Sequence, residues 1–119
     1  MEEVVKKGPV VLVCGGRYYN NYPVVEWWLN DIGPSKIIQG GANGADKLAR
    51  KWAWDNKVDC TTFHPDWERF GRHAGPIRNL QMLKEGSPDM VLALPGGKGT
   101  EHMVRSATEA KIPVTRVKP

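Results

Sequence analysis

Four short segments concentrate the residues that could hold or transform a small anion. They are Cys14-Gly15-Gly16-Arg17-Tyr18-Tyr19, Gln39-Gly40-Gly41-Ala42-Asn43-Gly44-Ala45-Asp46, the stretch from Phe63 to Gly75, and Leu94-Pro95-Gly96-Gly97-Lys98-Gly99-Thr100. Glycine permits positive φ and lets a ligand approach the main chain, while a helix that follows presents unpaired N–H groups and the positive end of its dipole. Phosphate is the natural guest of that arrangement. Gly96 to Thr100 adds a hydroxyl and a lysine charge, an anion cradle of the general P-loop type whose glycine spacing is too short for a Walker motif. A single glycine pair serves a tight turn equally well; three such loops carry more weight than one.

Other side chains in these segments have two readings each. Asp46 either complements a helix dipole in the first turn or bonds a ribose hydroxyl. Arg17, Arg69, Arg72, Arg78 and Lys98 fall in or beside loops, where they focus positive potential or simply face solvent. Tyr18, Tyr19, Tyr22, Trp67 and Phe70 offer stacking surfaces for a base, with Trp67 the favoured platform; the plainer role of Trp67 and Phe70 is to plug a long loop onto the domain.

The elements that must position these residues follow from hydrophobic periodicity. Pro9 to Cys14, Lys36 to Gln39, Val58 to Phe63, Met90 to Leu94 and Pro113 to Val117 read as strands, the first and fourth of them buried. Between them lie helical patterns. The first starts near Pro23 with Val24, Val25, Trp28, Leu29 and Ile32 inward, and the second carries Ala45, Leu48, Ala49, Trp52 and Ala53. A third opens at Gly75-Pro76 with Ile77, Leu80 and Leu83 inward, and the last has Met103, Val104, Ala107 and Ala110 inward. The connection from His64 to His73 is long for its class and reads as a functional loop. Alternating strands and helices predict an α/β fold, a single Rossmann-like domain over residues 1–119 with a five-stranded, mostly parallel sheet and helices on both faces. Residues 1–8 are expected to be flexible. In such a sheet every loop that follows a strand opens on one edge, so the four segments converge in space.

Composition narrows the function classes. A chain of 119 residues is large enough for one core, and 40% hydrophobic with 25% charged residues is ordinary globular content. No apolar run approaches the roughly 18 residues of a membrane span, and Val10 to Cys14 is too short for a signal-peptide core, so a cytoplasmic protein with no membrane partner is expected. Cys14 and Cys60 read as buried thiols, and His64, His73 and His102 lack zinc-site spacing; neither a metal nor a cofactor is expected. The 17 Lys and Arg residues against 13 Asp and Glu give +4, a mild excess that suits an anionic ligand. Trp27 and Trp54 fall off the inward helix faces, which suggests a homo-oligomer.

Together, VCGGRYYNNY, IIQGGANGADKLARKWA, FHPDWERFGRHAGPIRNLQML and VLALPGGKGTEHMVRSA resemble the YspA-like, cpYpsA-related branch of the SLOG superfamily. The resemblance implies a Rossmann-like fold that binds nucleotides or nucleotide-derived ligands, and a standalone domain of this kind suggests a bacterium or a phage. Its better understood relatives, the LOG-type phosphoribohydrolases, cleave the N-glycosidic bond of nucleoside 5′-monophosphates with a PGGxGTxxE motif and an arginine on the preceding helix. Pro95 to Thr100 matches the first part and Arg78 resembles the arginine. The motif's glutamate falls on Met103, and the nearest acid, Glu101, would project from another side of the helix. The expected ligand-binding set is therefore Gly15, Gly16, Arg17, Gly40, Gly41, Gly44, Asp46, Trp67, Arg78, Asn79, Pro95, Gly96, Gly97, Lys98, Gly99 and Thr100.

Three functions compete on these residues. A nucleotide-binding sensor or carrier needs the glycine loops and no catalytic glutamate. A phosphoribohydrolase needs a carboxylate for an oxocarbenium-like transition state, with Glu101, Asp66 and Asp46 as candidates, and a cation on the phosphate, Arg78 or Arg17; His64, His73 and His102 could move protons. Single-stranded nucleic-acid binding, suggested by the related Rossmann-like core of the DNA-processing protein DprA, would use the basic and aromatic residues of the same edge.

Overall fold

The computed structural model describes residues 8–119, so most of the segment expected to be flexible, residues 1–7, lies outside the described residues. Five strands, β1 (Val10–Cys14), β2 (Lys36–Gln39), β3 (Asp59–Thr62), β4 (Met90–Ala93) and β5 (Val114–Arg116), form one sheet in the order β3-β2-β1-β4-β5. Every pairing is parallel, with Val11 opposite both Ile37 and Met90. The α/β, Rossmann-like expectation holds, and the sheet is wholly parallel. Central β1 is covered on both sides, so Val11 to Cys14 are all buried, which is why that strand reads as an unbroken apolar run.

Helices α1 (Tyr22–Ile32) and α2 (Ala45–Asp55) cover one face, burying Val25, Leu29, Ala49 and Trp52 against Val11, Val13 and Ile37. Helices α4 (Ala74–Gly86) and α5 (Lys98–Glu109) cover the other, where Met82, Met103 and Ala107 pack on Leu12, Ile38 and Val91. Local signals set the ends of α1: the Asn21 side chain accepts from the Val24 amide, a proline sits in the first turn, and Gly33 closes the helix at φ 64°. Trp52 Nε1 donates to Asn30 Oδ1 at 2.9 Å, tying α2 to α1.

Four expectations need correction. The connection after β3 is not all loop: it holds the one-turn helix α3 (Trp67–Phe70), capped by Asp66, and a 3-10 turn at Gly71–His73. Ile77 and Leu80 do not face inward but are exposed, 39% and 53%. The inward residues of α4 are Ala74, Asn79 and Met82, because the helix turns a polar stripe toward the edge of the sheet where the strands end. Ala110 lies just past the end of α5 and is exposed. Cys14 is buried as expected, whereas Cys60 on the edge strand β3 is only partly so; both are free thiols.

Candidate nucleotide site

Strand order reverses between β1 and β4, because the chain leaves β1 toward β2 on one side and returns to β4 on the other. The loops that follow those two strands therefore diverge, and a crevice opens between them at the carboxyl ends of the strands. A cleft of about 810 Å³ occupies that position. Its walls include Gly15, Gly16 and Arg17 after β1, Pro95 to Thr100 after β4, and Asp46, Arg78 and Asn79.

The floor is built by close approach of the loops. Gly16 N–H donates to the Pro95 carbonyl at 2.9 Å, and Ala45 N–H donates to the Gly16 carbonyl at 3.1 Å. A Cβ on Gly15 would lie 2.6 Å from that of Ala45 and 2.9 Å from that of Leu94, and one on Gly44, at φ 74°, would strike the Gly16 carbonyl. These glycines are required by packing among the loops themselves. Gly97 and Gly99 differ, since a Cβ on either would meet nothing within 4 Å. Both line the open cleft, so no contact among the described residues accounts for their missing side chains.

Beside them α5 begins. The Lys98, Gly99 and Thr100 amides have no intrahelical acceptor, no side chain caps the helix, and all three residues line the cleft. Three N–H groups and the positive end of a 12-residue helix are thus left for an anion.

Asp46, in the first turn of α2, is 6% exposed. Its Oδ2 accepts from the Gly40 amide at 3.1 Å and the Ala42 amide at 3.2 Å, which holds the glycine loop after β2 in its curve. Burial pushes its carboxyl up to about 6, against the opposing pull of those two amides and of the Arg78 guanidinium. Asp46 is the only acid among the described residues lining the cleft.

Arg78 Nη1 donates to the Gly40 carbonyl, with a longer contact to the Phe63 carbonyl, and Nε donates to Asn79 Oδ1 at 3.1 Å. Its guanidinium thus clasps the ends of β2 and β3, and only Nη2 has no partner among the described residues. A bidentate grip on phosphate would require it to release the Gly40 carbonyl. Buried Asn79 spends its amide nitrogen on the Gly99 carbonyl at 3.3 Å and on His102 Nδ1 at 3.1 Å, so it sets the start of α5 against α4. Burial, reinforced by Arg105, lowers the His102 pKa and favours the neutral ring, which accepts from Asn79 at Nδ1. Cys14 lies in the cleft wall, but burial raises its thiol to about 12, so it is no thiolate nucleophile.

Several residues singled out from sequence lie elsewhere. Glu101 is exposed and forms a two-point ion pair with Arg116 of β5, which holds its carboxyl below the usual range. Asp66 is spent on capping α3. Trp67 is 56% exposed on α3, beyond the walls, while Tyr18 and Tyr19 line the cleft. Gly40, Gly41 and Gly44 stand behind it as scaffold; Gly41 takes φ 78° and its amide donates to Gln39 Oε1 at 2.7 Å. His102, Gly75 and Met82 line the cleft yet are absent from the set expected to bind ligand. For Gly75 and Met82 the signal was the spacing 75, 78, 79 and 82, one face of a helix, overshadowed by the apolar pattern of Ile77 and Leu80. Among the described residues no three His, Cys, Asp or Glu side chains come together to hold a metal ion, and no helix is long and apolar enough to cross a membrane.

Comparison with known proteins adds two findings. A model of the YspA, cpYpsA-related SLOG family matches residues 9–70, which run from β1 through α3. The chain is also 41% identical over 85 residues to the Gene 61 protein of Mycobacterium phage D29, covering 66% of this chain and 67% of that protein.

Proposed function

The chain belongs to the YspA, cpYpsA-related SLOG family, and from that membership and the cleft we propose that it binds a nucleotide or nucleotide-derived phosphate ligand, as a cytoplasmic sensor or carrier. The observation that carries this reading is the uncapped start of α5 facing a cleft, beside two glycines whose missing side chains serve no contact among the described residues. The phosphate would rest on the Lys98, Gly99 and Thr100 amides, with Lys98 adding charge and Arg17 closing from the β1 loop. The base would extend toward Tyr18 and Tyr19, where aromatic stacking on one base is worth about 1–3 kcal/mol.

Binding without turnover is favoured because Glu101 is paired with Arg116 and Asp66 caps a helix. One observation keeps a phosphoribohydrolase as a second reading: Asp46 lines the cleft with a carboxyl raised to about 6, in the range where an acid can exchange protons near neutral pH. On that reading Asp46 is the carboxylate that acts and Arg78 steadies the ligand.

The test is incubation of the protein with a defined pool of nucleoside mono-, di- and triphosphates and cyclic nucleotides, with bound and free fractions read by liquid chromatography and mass spectrometry. One nucleotide retained unchanged is the expected result. Free base with ribose phosphate would shift the assignment to the hydrolase, with Asp46→Asn as the first variant. No retention and no product from any member of the pool would overturn both.

A further inference from the structure

A second concavity, of about 670 Å³, lies beyond the Arg17-Tyr18-Tyr19 turn on the outer side of α2. It goes beyond the nucleotide reading, because one of its walls is a helix face that the cleft at the start of α5 does not use. Lys47, Arg50, Lys51 and Trp54 line it from α2, at the i, i+3, i+4 and i+7 spacing that brings side chains onto one stripe. Arg17 and Tyr18 close it from the other side.

Charge and aromatic character coincide there. No acidic residue appears in the lining among the described residues. Lys51 is committed, with its ammonium 2.6 Å from Asp55 and 4.8 Å from the Tyr22 ring centre. Arg17, Lys47 and Arg50 have no ion-pair partner among the described residues. Trp54 is 84% exposed and Tyr18 89%, two large π-faces left in water at the rim of a cationic groove. A chain with a net charge of only +4 has gathered four of its cations here. A groove that pairs unneutralised cations with exposed aromatic faces suits a ligand with repeating phosphates and unstacked bases, since the cations follow the backbone and the rings take bases of any sequence. A duplex hides its base faces and cannot use the aromatics; an acidic protein segment offers carboxylates to the cations but no regular series of aromatic bases to stack on the rings.

We propose that this groove binds single-stranded nucleic acid, with phosphates along Arg17, Lys47 and Arg50 and bases stacked on Tyr18 and Trp54. The strand runs along α2 and passes the mouth of the neighbouring cleft, because Arg17, Tyr18 and Tyr19 border both.

Fluorescence anisotropy with labelled oligothymidylates of about 4 to 16 nucleotides tests it. Affinity should rise with length and fall steeply with salt. The double variant Lys47→Ala/Arg50→Ala should reduce the slope of log K against log salt by about 1.4, roughly 0.7 for each phosphate of a single strand that is no longer neutralised. Trp54→Ala should weaken binding by about 5- to 150-fold, the range of one stacked base. All three side chains are exposed, so the variants should melt as the wild type does. Retention of a mononucleotide in the cleft should be unchanged in them, which separates failure here from failure of the nucleotide reading. Affinity that ignores length, equal affinity for a duplex, or oligonucleotide binding undiminished in both variants would overturn the proposal.

Discussion

Gly44 and Gly99 show one residue type serving opposite needs. Gly44 is held at φ 74° with the Gly16 carbonyl in the place of a side chain, so Gly44→Ala should destabilise the fold by about 1–3 kcal/mol in urea titration. Gly99 lies in the first turn of α5 with open space around it. Gly99→Ala should leave stability equal or raise it, by up to about 1 kcal/mol from helix propensity, yet reduce nucleotide retention at least tenfold, because the added methyl occupies the approach of the phosphate. Asp46 makes a prediction in pH. Its carboxyl is raised from 3.8 in the unfolded reference to about 6 in the fold, so the folded state binds the extra proton. The stability this confers is fully present below about pH 4 and is lost as pH rises through 6, a change of about 3 kcal/mol. Asp46→Asn keeps an acceptor for the Gly40 and Ala42 amides and should flatten the pH dependence of the urea midpoint between pH 4 and 7.

The seam between α4 and α5 decides whether the cleft at the start of α5 keeps its shape. Asn79 is its centre, serving Arg78 Nε, the Gly99 carbonyl and His102 Nδ1 at once. Asn79→Ala should cost about 1–3 kcal/mol through the polar groups it orphans, and should weaken nucleotide retention because the first turn of α5 is no longer held against α4. The same demand explains the orientation of α4. Gly75, Arg78, Asn79 and Met82 must face the cleft, which leaves Ile77 and Leu80 toward solvent. By contrast Glu101, on the first turn of α5, reaches out to Arg116; Glu101→Gln should leave nucleotide retention unchanged, as equilibrium dialysis would show.

At the scale of the whole molecule, the cleft is a consequence of topology. Two strands on one side of β1 and two on the other meet at the strand where the order reverses, and Gly15 is where the two sides touch, between Ala45 of α2 and Leu94 after β4. Gly15→Val should therefore lose stability and nucleotide retention together, unlike Gly99→Ala, which separates them. Thermal melts and dialysis on the same samples make that comparison.

The sequence by itself determined the layered α/β architecture, because strands buried on both faces and helices with one apolar stripe each leave a local periodic trace. It also placed the loops after β1, β2, β3 and β4 at one sheet edge, since in an alternating pattern every loop that follows a strand opens on the same side. Only the tertiary structure decided which residues reach that cleft. Glu101, Asp66 and Asp46 were all candidates as acids in a loop or first turn; a partner 15 residues away, Arg116, draws Glu101 outward, whereas burial among the packed loops keeps Asp46 in the cleft wall. Likewise the rotation of α4 and the basic stripe on α2 beside Tyr18 depend on which helix faces lie next to which loops. That adjacency is set by packing across the sheet, between residues far apart in the chain, and leaves no local pattern to read.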